Sequence, residues 1–288
     1  MTTHKNEMTF NSVQEFAKHV NETPRAEGCE GTSSDEGHSP SKKWDFNLGY
    51  RGALKFGLGE EHWEEGANKI ADTIVNASEF RGAVSAQTME SSVVGFAPNV
   101  PAYINGEPEC MFTMEEQEVE RPHVRIAYTG FSCGCSADAI MNRGVALLSL
   151  VDALESQGTR CEVWFDDNIP ERIMDCDDPY EKTDTCIRTR VCVKAADQHW
   201  DAATFAFAFA HPAFFRRLLF KRLETVADAN HHTRGGYGRP CKIARDYDIH
   251  FDYMENDSGY YSLESALKKM QRIAKDAGLD VELIQEAA

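Results

Sequence analysis

Residues 123–167, HVRIAYTGFSCGCSADAIMNRGVALLSLVDALESQGTRCEVWFDD, constrain the fold more than any other part of this chain. Val124, Ile126 and Tyr128 alternate as in a half-buried strand, and a Gly/Ser/Cys-rich turn follows. From Ala137 to Gln157 the apolar residues Ile140, Val145, Leu147, Leu148, Val151 and Leu154 recur at helical spacing. Gly158 stands where a helix commonly ends, and Cys161–Phe165 returns as a second strand. Strand, helix and strand joined by short turns give a right-handed βαβ unit with parallel strands. The chain is therefore predicted to be α/β, with a mostly parallel, Rossmann-like sheet. TCIRTRVCVKA alternates Ile187, Thr189, Val191 and Val193 with Arg188, Arg190, Cys192 and Lys194, which predicts one antiparallel edge strand. The segment from His199 to Ala229 reads as helix broken at His211-Pro212, DYDIHFDYM as a strand, and Ser262–Gly278 as a closing helix.

The rest of the chain divides by composition. Residues 1–20 read as an N-terminal strand and helix, with Asn11 and Gln14 as a capping pair and Val13, Phe16, Ala17 and Val20 as an apolar stripe. Residues 21–43 are rich in Gly, Ser, Pro and charge, and read as a mobile linker. Residues 44–118 form a small helical and extended region, with a helix from Glu60 to about Asn76. Within that region Pro101 and Pro108 preclude a continuous helix, and Val93, Val94, Tyr103, Met111 and Phe112 suggest a strand and loop packed on the main domain. Residues 119–288 are the α/β domain.

A net charge of −17 makes sequence-independent binding to nucleic acid depend on a local basic face. One candidate is HPAFFRRLLFKRLE, where Arg216, Arg217, Lys221 and Arg222 interleave with aromatic and aliphatic residues. The same spacing also serves packing, with the aromatics in the core and the basic residues on a solvated face, and that reading is preferred. No apolar run approaches the roughly 20 residues that span a bilayer, so no membrane association is expected. The N-terminus lacks a signal-peptide pattern, and the expected compartment is the cytoplasm. The nine cysteines include no CxxC pair, and reduced thiols are expected. Cys133 and Cys135 lack further thiol or imidazole ligands nearby in sequence.

The element order and the first turn resemble the von Willebrand factor A (vWA) fold. In that fold an Asp-x-Ser-x-Ser turn, with a Thr and an Asp from later loops, holds Mg²⁺ in an adhesion site. Here the turn is TGFSCGCS: Thr129, Ser132 and Ser136 lie in the corresponding neighbourhood, without a leading aspartate. Asp138 comes too late, inside the helix. The resemblance implies a degenerate metal-adhesion surface, with no cofactor expected, Mg²⁺ as the weak alternative, and Asp166, Asp167, Asp252 or Asp257 as possible carboxylate donors. The turn could instead bind an anion at the helix N-terminus. VPAYINGEPECM, NRGVALLSLVDALESQGTRCEVW and FAFAHPAFFRRLLFKRLE are similar to segments of an uncharacterised family of bacteriophage-associated proteins.

Together these readings imply a phage-encoded interaction or adaptor protein without assigned catalytic residues. The vWA resemblance adds a MoxR-type AAA+ ATPase as the partner it implies. The alternatives are a metal-dependent enzyme acting on nucleic acid, and a nucleic-acid-associated protein using Arg216, Arg217 and Lys221. Two weaker site candidates are the adjacent His231 and His232 in a Gly-rich loop, and Glu107 and Glu109 flanking Pro108.

Overall fold

The computed structural model describes residues 3–29, 31–78, 89–114, 122–130, 132–170, 185–199, 201–226, 247–279, 281 and 283. The chain opens with strand β1 (Thr3–Phe10) and helices α1 (Val13–Glu22), α2 (Lys42–Asp45), α3 (Gly49–Leu58) and α4 (Glu64–Ser78). A small unit follows, made of β2 (Met89–Ser92), β3 (Ala97–Pro98), α5 (Val100–Ile104) and β4 (Met111–Met114). The predicted βαβ unit comes next as β5 (His123–Tyr128), the two-residue β6 (Ser132–Cys133), α6 (Ala137–Ser156) and β7 (Arg160–Pro170). The chain continues through β8 (Thr185–Lys194), α7 (Ala202–Phe205), π-helical turns at Ala206–Ala210 and Phe214–Leu219, and α8 (Phe220–Glu224). Strands β9 (Ile249–Phe251) and β10 (Met254–Glu255) and helix α9 (Leu263–Asp276) complete it. Among the described residues no helix is long and apolar enough to cross a membrane.

The main sheet has the order β1-β8-β7-β5-β9. β5 lies parallel to both β7 and β9, β7 pairs antiparallel with β8, and β8 pairs parallel with β1. This is the mostly parallel α/β sheet that the sequence predicts. Its antiparallel edge is two strands wide, because the N-terminal segment adds β1 outside β8 instead of standing apart.

The sheet's two faces differ sharply. On one, Phe10, Ile126, Tyr128, Val163, Phe165, Ile187, Val191, Ile249 and Phe251 are almost fully buried. The alternate positions of the same strands carry Glu7, Arg125, Glu162, Trp164, Asp166, Arg188 and Arg190. The period of two along a strand turns one sequence into an apolar face and an ionic face.

Helix α6 crosses the apolar face, and 15 of its 20 residues are buried, so it is wrapped on nearly all sides. Its sequence therefore shows more than the single apolar face expected of a surface helix. The π-helical turns pack on it and meet the sheet: Phe165 lies 5.0 Å from Phe214 and 5.3 Å from Phe215 between ring centroids. At the crossing, a Cβ on Gly144 would stand 2.3 Å from the Phe209 carbonyl oxygen. Glycine is required there because backbone meets backbone.

Local signals at the helix ends hold, with one shift. The α1 cap is Ser12, whose Oγ accepts from Glu15 N–H at 3.0 Å, while Glu15 accepts from Asn11 N–H at 2.7 Å. The N-cap is thus Ser12, with Glu15 at N3 reaching back to the residue before it, one position beyond the Asn11–Gln14 pair. Gly158 has φ +86° directly after α6, and Ser262 and Ser265 form a reciprocal cap at α9.

Two expectations fail. The segment read as a mobile linker, residues 21–43, is tied to the body at several points. Ser33 N–H and Oγ both donate to Glu224, and Arg25 reaches the same carboxylate at 2.8 Å. Polar bonding to distant buried charges holds it, so its lack of apolar anchors was misleading. Val93, Val94 and Tyr103, expected to pack on the main domain, are instead 66%, 78% and 71% exposed.

Candidate functional site

The turn from Thr129 to Ser136 lies at the carboxyl ends of β5 and β9, where open α/β sheets usually bind ligands. Two arginines close it from within. Arg143, on the second turn of α6, is 1% exposed and donates to the carbonyls of Thr129 (2.8 Å), Phe251 (3.1 Å) and Asp252 (2.6 Å). Its guanidinium carbon stands 4.0 Å from the Tyr128 ring centroid and 5.5 Å from that of Tyr260. Burial alone would depress the guanidinium's pKa, but Tyr128, Tyr260 and Asp167 hold it above its ordinary value. Burial also pushes the Tyr128 phenol up to about 12. Arg216, from the second π-helical turn, donates to the Cys135 carbonyl at 2.7 Å.

The polar side chains expected at the turn are committed to internal bonds. Thr129 Oγ1 donates to the Asp166 carbonyl at 3.2 Å and lies 3.1 Å from His250 Nε2. His250 Nδ1 is 3.3 Å from an Asp252 carboxylate oxygen. This Thr–His–Asp line has the outline of a nucleophilic relay. The hydroxyl at its head is 1% exposed, however, and its proton is directed to a backbone carbonyl, which makes it a strut between three strand ends. Ser132 lies in β6, paired with Met254 of β10. Ser136 is the N-cap of α6, its Oγ accepting from Ala139 N–H at 3.1 Å.

Asp257 supplies what an anion would. Its carboxylate accepts from Ser136 N–H at 2.7 Å, at the positive end of a 20-residue helix. The expected anion position is therefore filled by the chain's own carboxylate. Asn256 and Asp257, at φ +49° and +56°, form the tight turn that places it.

Asp166 and Asp167 are neighbours in sequence and point to opposite faces of the sheet. Asp167 accepts from Gly130 N–H at 3.1 Å on the helix side. Asp166, fully buried on the ionic face, is gripped by Arg188 (Nε 3.0 Å, Nη2 2.7 Å) and by the Tyr247 hydroxyl at 2.7 Å. Arg190 adds a guanidinium 3.6 Å away. Burial, then the Asp166 charge, drives the Tyr247 phenol's pKa upward, which keeps it a neutral donor.

These donors do not fit Mg²⁺. A hard cation requires converging carboxylate and hydroxyl oxygens, whereas here a buried guanidinium already occupies the strand-end carbonyls and Asp166 faces away. Among the described residues no group of three or more His, Cys, Asp or Glu could hold a metal ion.

The basic helix turns inward. Arg216, Arg217 and Lys221 are 9%, 0% and 7% exposed. Arg217 forms a two-pronged pair with the buried Asp45, with Nε at 2.8 Å. Its third nitrogen donates to the carbonyls of Ser33 (3.1 Å), Ser34 (3.0 Å) and His38 (2.8 Å). Trp44 covers this guanidinium at 4.5 Å. The solvated basic face expected from the spacing is absent at these positions. The arginines anchor the 31–45 segment instead, and burial lowers the pKa values of Arg216 and Lys221. His231 and His232 lie outside the described residues. Glu107 and Glu109 are exposed in the chain leading from α5 to β4.

Sequence reasoning missed Arg143, His250, Tyr247 and Asp45. Arg143 did carry a signal: it is a charged residue inside NRGVALLSL, where only a buried role suits the surroundings. The other three left none, because their partners are distant in the chain.

A family model described as a domain of unknown function, DUF7192, matches residues 2–281, and the chain belongs to that family. No curated protein and no solved structure matches it.

Proposed function

We propose that this member of the family is a non-enzymatic interaction or adaptor protein of bacteriophage association, built on a vWA-like core whose adhesion surface is closed to metal. The observation that carries the reading is the Arg143 guanidinium bonded to the carbonyls of Thr129, Phe251 and Asp252. A fixed positive charge beneath the turn repels a divalent cation and replaces its bridging role between strand ends. Support for the vWA-like core comes from the succession of β5, turn, α6, β7, antiparallel β8 and β9, with the turn at the carboxyl edge. The surface left for a partner is that edge, including Asn256–Ser258. The partner implied by the resemblance is a MoxR-type AAA+ ATPase.

Two measurements test this. Thermal midpoints with and without Mg²⁺, Mn²⁺ or Ca²⁺ are expected to coincide, since only a ligand of the native state raises the midpoint. A rise that Asp257→Ala or Asp166→Ala removes would defeat the closed-site argument. Size-exclusion chromatography with an AAA+ ATPase encoded beside this chain, in the presence of ATP, is expected to yield a complex. That complex should weaken on substitution of Asn256 or Ser258, and failure to co-elute would count against the adaptor role.

A further inference from the structure

The unit formed by β2, β3, α5 and β4 shows an apolar surface to solvent. Asn99 caps α5, its side chain accepting from Ala102 N–H, and Ala102 is buried. On the outward side of this single turn, Val100, Tyr103 and Ile104 are 55%, 71% and 75% exposed. Their i, i+3, i+4 spacing puts all three on one helix face. The loop from β2 to β3 adds Val93, Val94 and Phe96, the last 61% exposed. Both runs are fastened to β4 and its approach: Phe96 N–H donates to Phe112 O at 2.9 Å, and Asn99 N–H to Cys110 O at 2.8 Å. Large side chains held outward on a bonded frame are what an interaction surface requires.

Charge selects the occupant. Across residues 89–114 all three charged side chains are glutamates, Glu90, Glu107 and Glu109, with no lysine, arginine, histidine or aspartate. Glu107 and Glu109 stand exposed next to α5. A second copy would bring the same carboxylates, on a chain of net charge −17, against one another. An anionic membrane surface is repelled for the same reason. We propose that this unit docks a basic amphipathic segment of a partner protein, whose apolar side chains cover Val94, Phe96, Tyr103 and Ile104 while its lysines or arginines face the glutamates. This surface is separate from the sheet edge and does not depend on the reading of that edge.

The test uses the full chain and a fluorescein-labelled amphipathic helical peptide of leucine and lysine, followed by polarisation. Saturable one-to-one binding is expected. A V94S/Y103S/I104S variant should weaken it by about tenfold or more, with an unchanged thermal midpoint because these side chains are exposed. E107Q/E109Q should weaken it less and flatten its salt dependence. Four results would overturn the proposal: no binding at low salt, equal binding by the triple variant, equal binding of a peptide with glutamate in place of lysine, or a wild-type dimer that the triple variant converts to monomer. Equal or tighter association with neutral lipid vesicles, lost in the triple variant, would assign the surface to membrane and overturn it as well.

Discussion

Replacing Arg143 with methionine gives the most decisive perturbation, because the side chain keeps its length and apolar stem while losing the guanidinium. Three strand-end carbonyls then lose the guanidinium, at Thr129, Phe251 and Asp252, although the Phe251 carbonyl still accepts from Thr129 N–H at 3.0 Å. A hydrogen bond to a charged group contributes about 1.5–3 kcal/mol net, and an unsatisfied buried carbonyl costs about 1–3 kcal/mol. The stacked Tyr128 ring at 4.0 Å adds up to about 2 kcal/mol when desolvated. Asp252 is exposed, so water can reach part of this network, and the contributions are not additive. Desolvating the guanidinium also offsets part of its gain. The expected loss is therefore about 3–5 kcal/mol, equivalent to about 6–20 °C in thermal midpoint for a chain of this size. Urea unfolding measures it as a lower midpoint concentration at unchanged slope. Arg143→Lys should recover only part, since one ammonium cannot span all three acceptors. A methionine variant within about 1 kcal/mol of wild type would refute the claim that the guanidinium clamps the strand ends.

Three other predictions follow from buried groups. His211, packed among Phe46, Phe56, Trp63 and Phe207, has its pKa lowered to about 3 by burial. The unfolded chain takes up this proton below about pH 6.5 and the native chain does not, so His211 costs about 1.4 kcal/mol of stability per pH unit below that point, about 2 kcal/mol by about pH 5. His211→Asn should be less stable near neutrality but lose less on acidification, and an equal pH slope in urea unfolding would contradict this. Arg217→Met leaves the Asp45 carboxylate buried without its cationic partner, held only by the Ser41 and Gly49 N–H groups, at a cost of about 3–5 kcal/mol. Limited trypsin digestion should then cut at Arg25, Lys42 or Lys43 well before global unfolding, and an unchanged pattern would show that the arginine does not hold the segment. Gly144→Ala forces a methyl into the Phe209 and Ala210 backbone and should cost about 3 kcal/mol, read as a lower urea midpoint. A neutral result would mean that α6 and the first π-helical turn separate without penalty.

The parts of the fold legible in the sequence are those with local periodicity. Val124, Ile126 and Tyr128 alternate within one strand, and Gly158 ends α6 by its own backbone geometry, so neither needs information from elsewhere. The antiparallel pairing of β8 was legible because its alternation of Ile187, Thr189 and Val191 with Arg188 and Arg190 reports two different faces. What covers those faces was not, and β1 lies outside β8 although their paired residues are about 180 positions apart in the chain. At the candidate site, the position of the turn was readable and its state was not. Whether Thr129, Ser136 and Asp257 serve a ligand or one another depends on Arg143, His250 and Arg216 arriving from other elements.

The arginines explain why composition misled in two places at once. A segment such as 21–43, poor in apolar side chains, reads as unable to bury enough surface to order itself. A helix such as FFRRLLFKRLE reads as having a solvated basic face. Each judgement is sound alone and fails for the pair, because Arg217 finds in residues 33–45 the carbonyls and carboxylate that water would otherwise provide. The same exchange recurs at Arg143 and the strand ends. In both, a planar guanidinium with several fixed donors gathers backbone carbonyls from separate segments into one buried centre. A metal ion would have performed that gathering through carboxylates directed at one point. This chain instead spends its carboxylates on arginines and on a helix N-terminus, while Glu107 and Glu109 stand exposed next to α5.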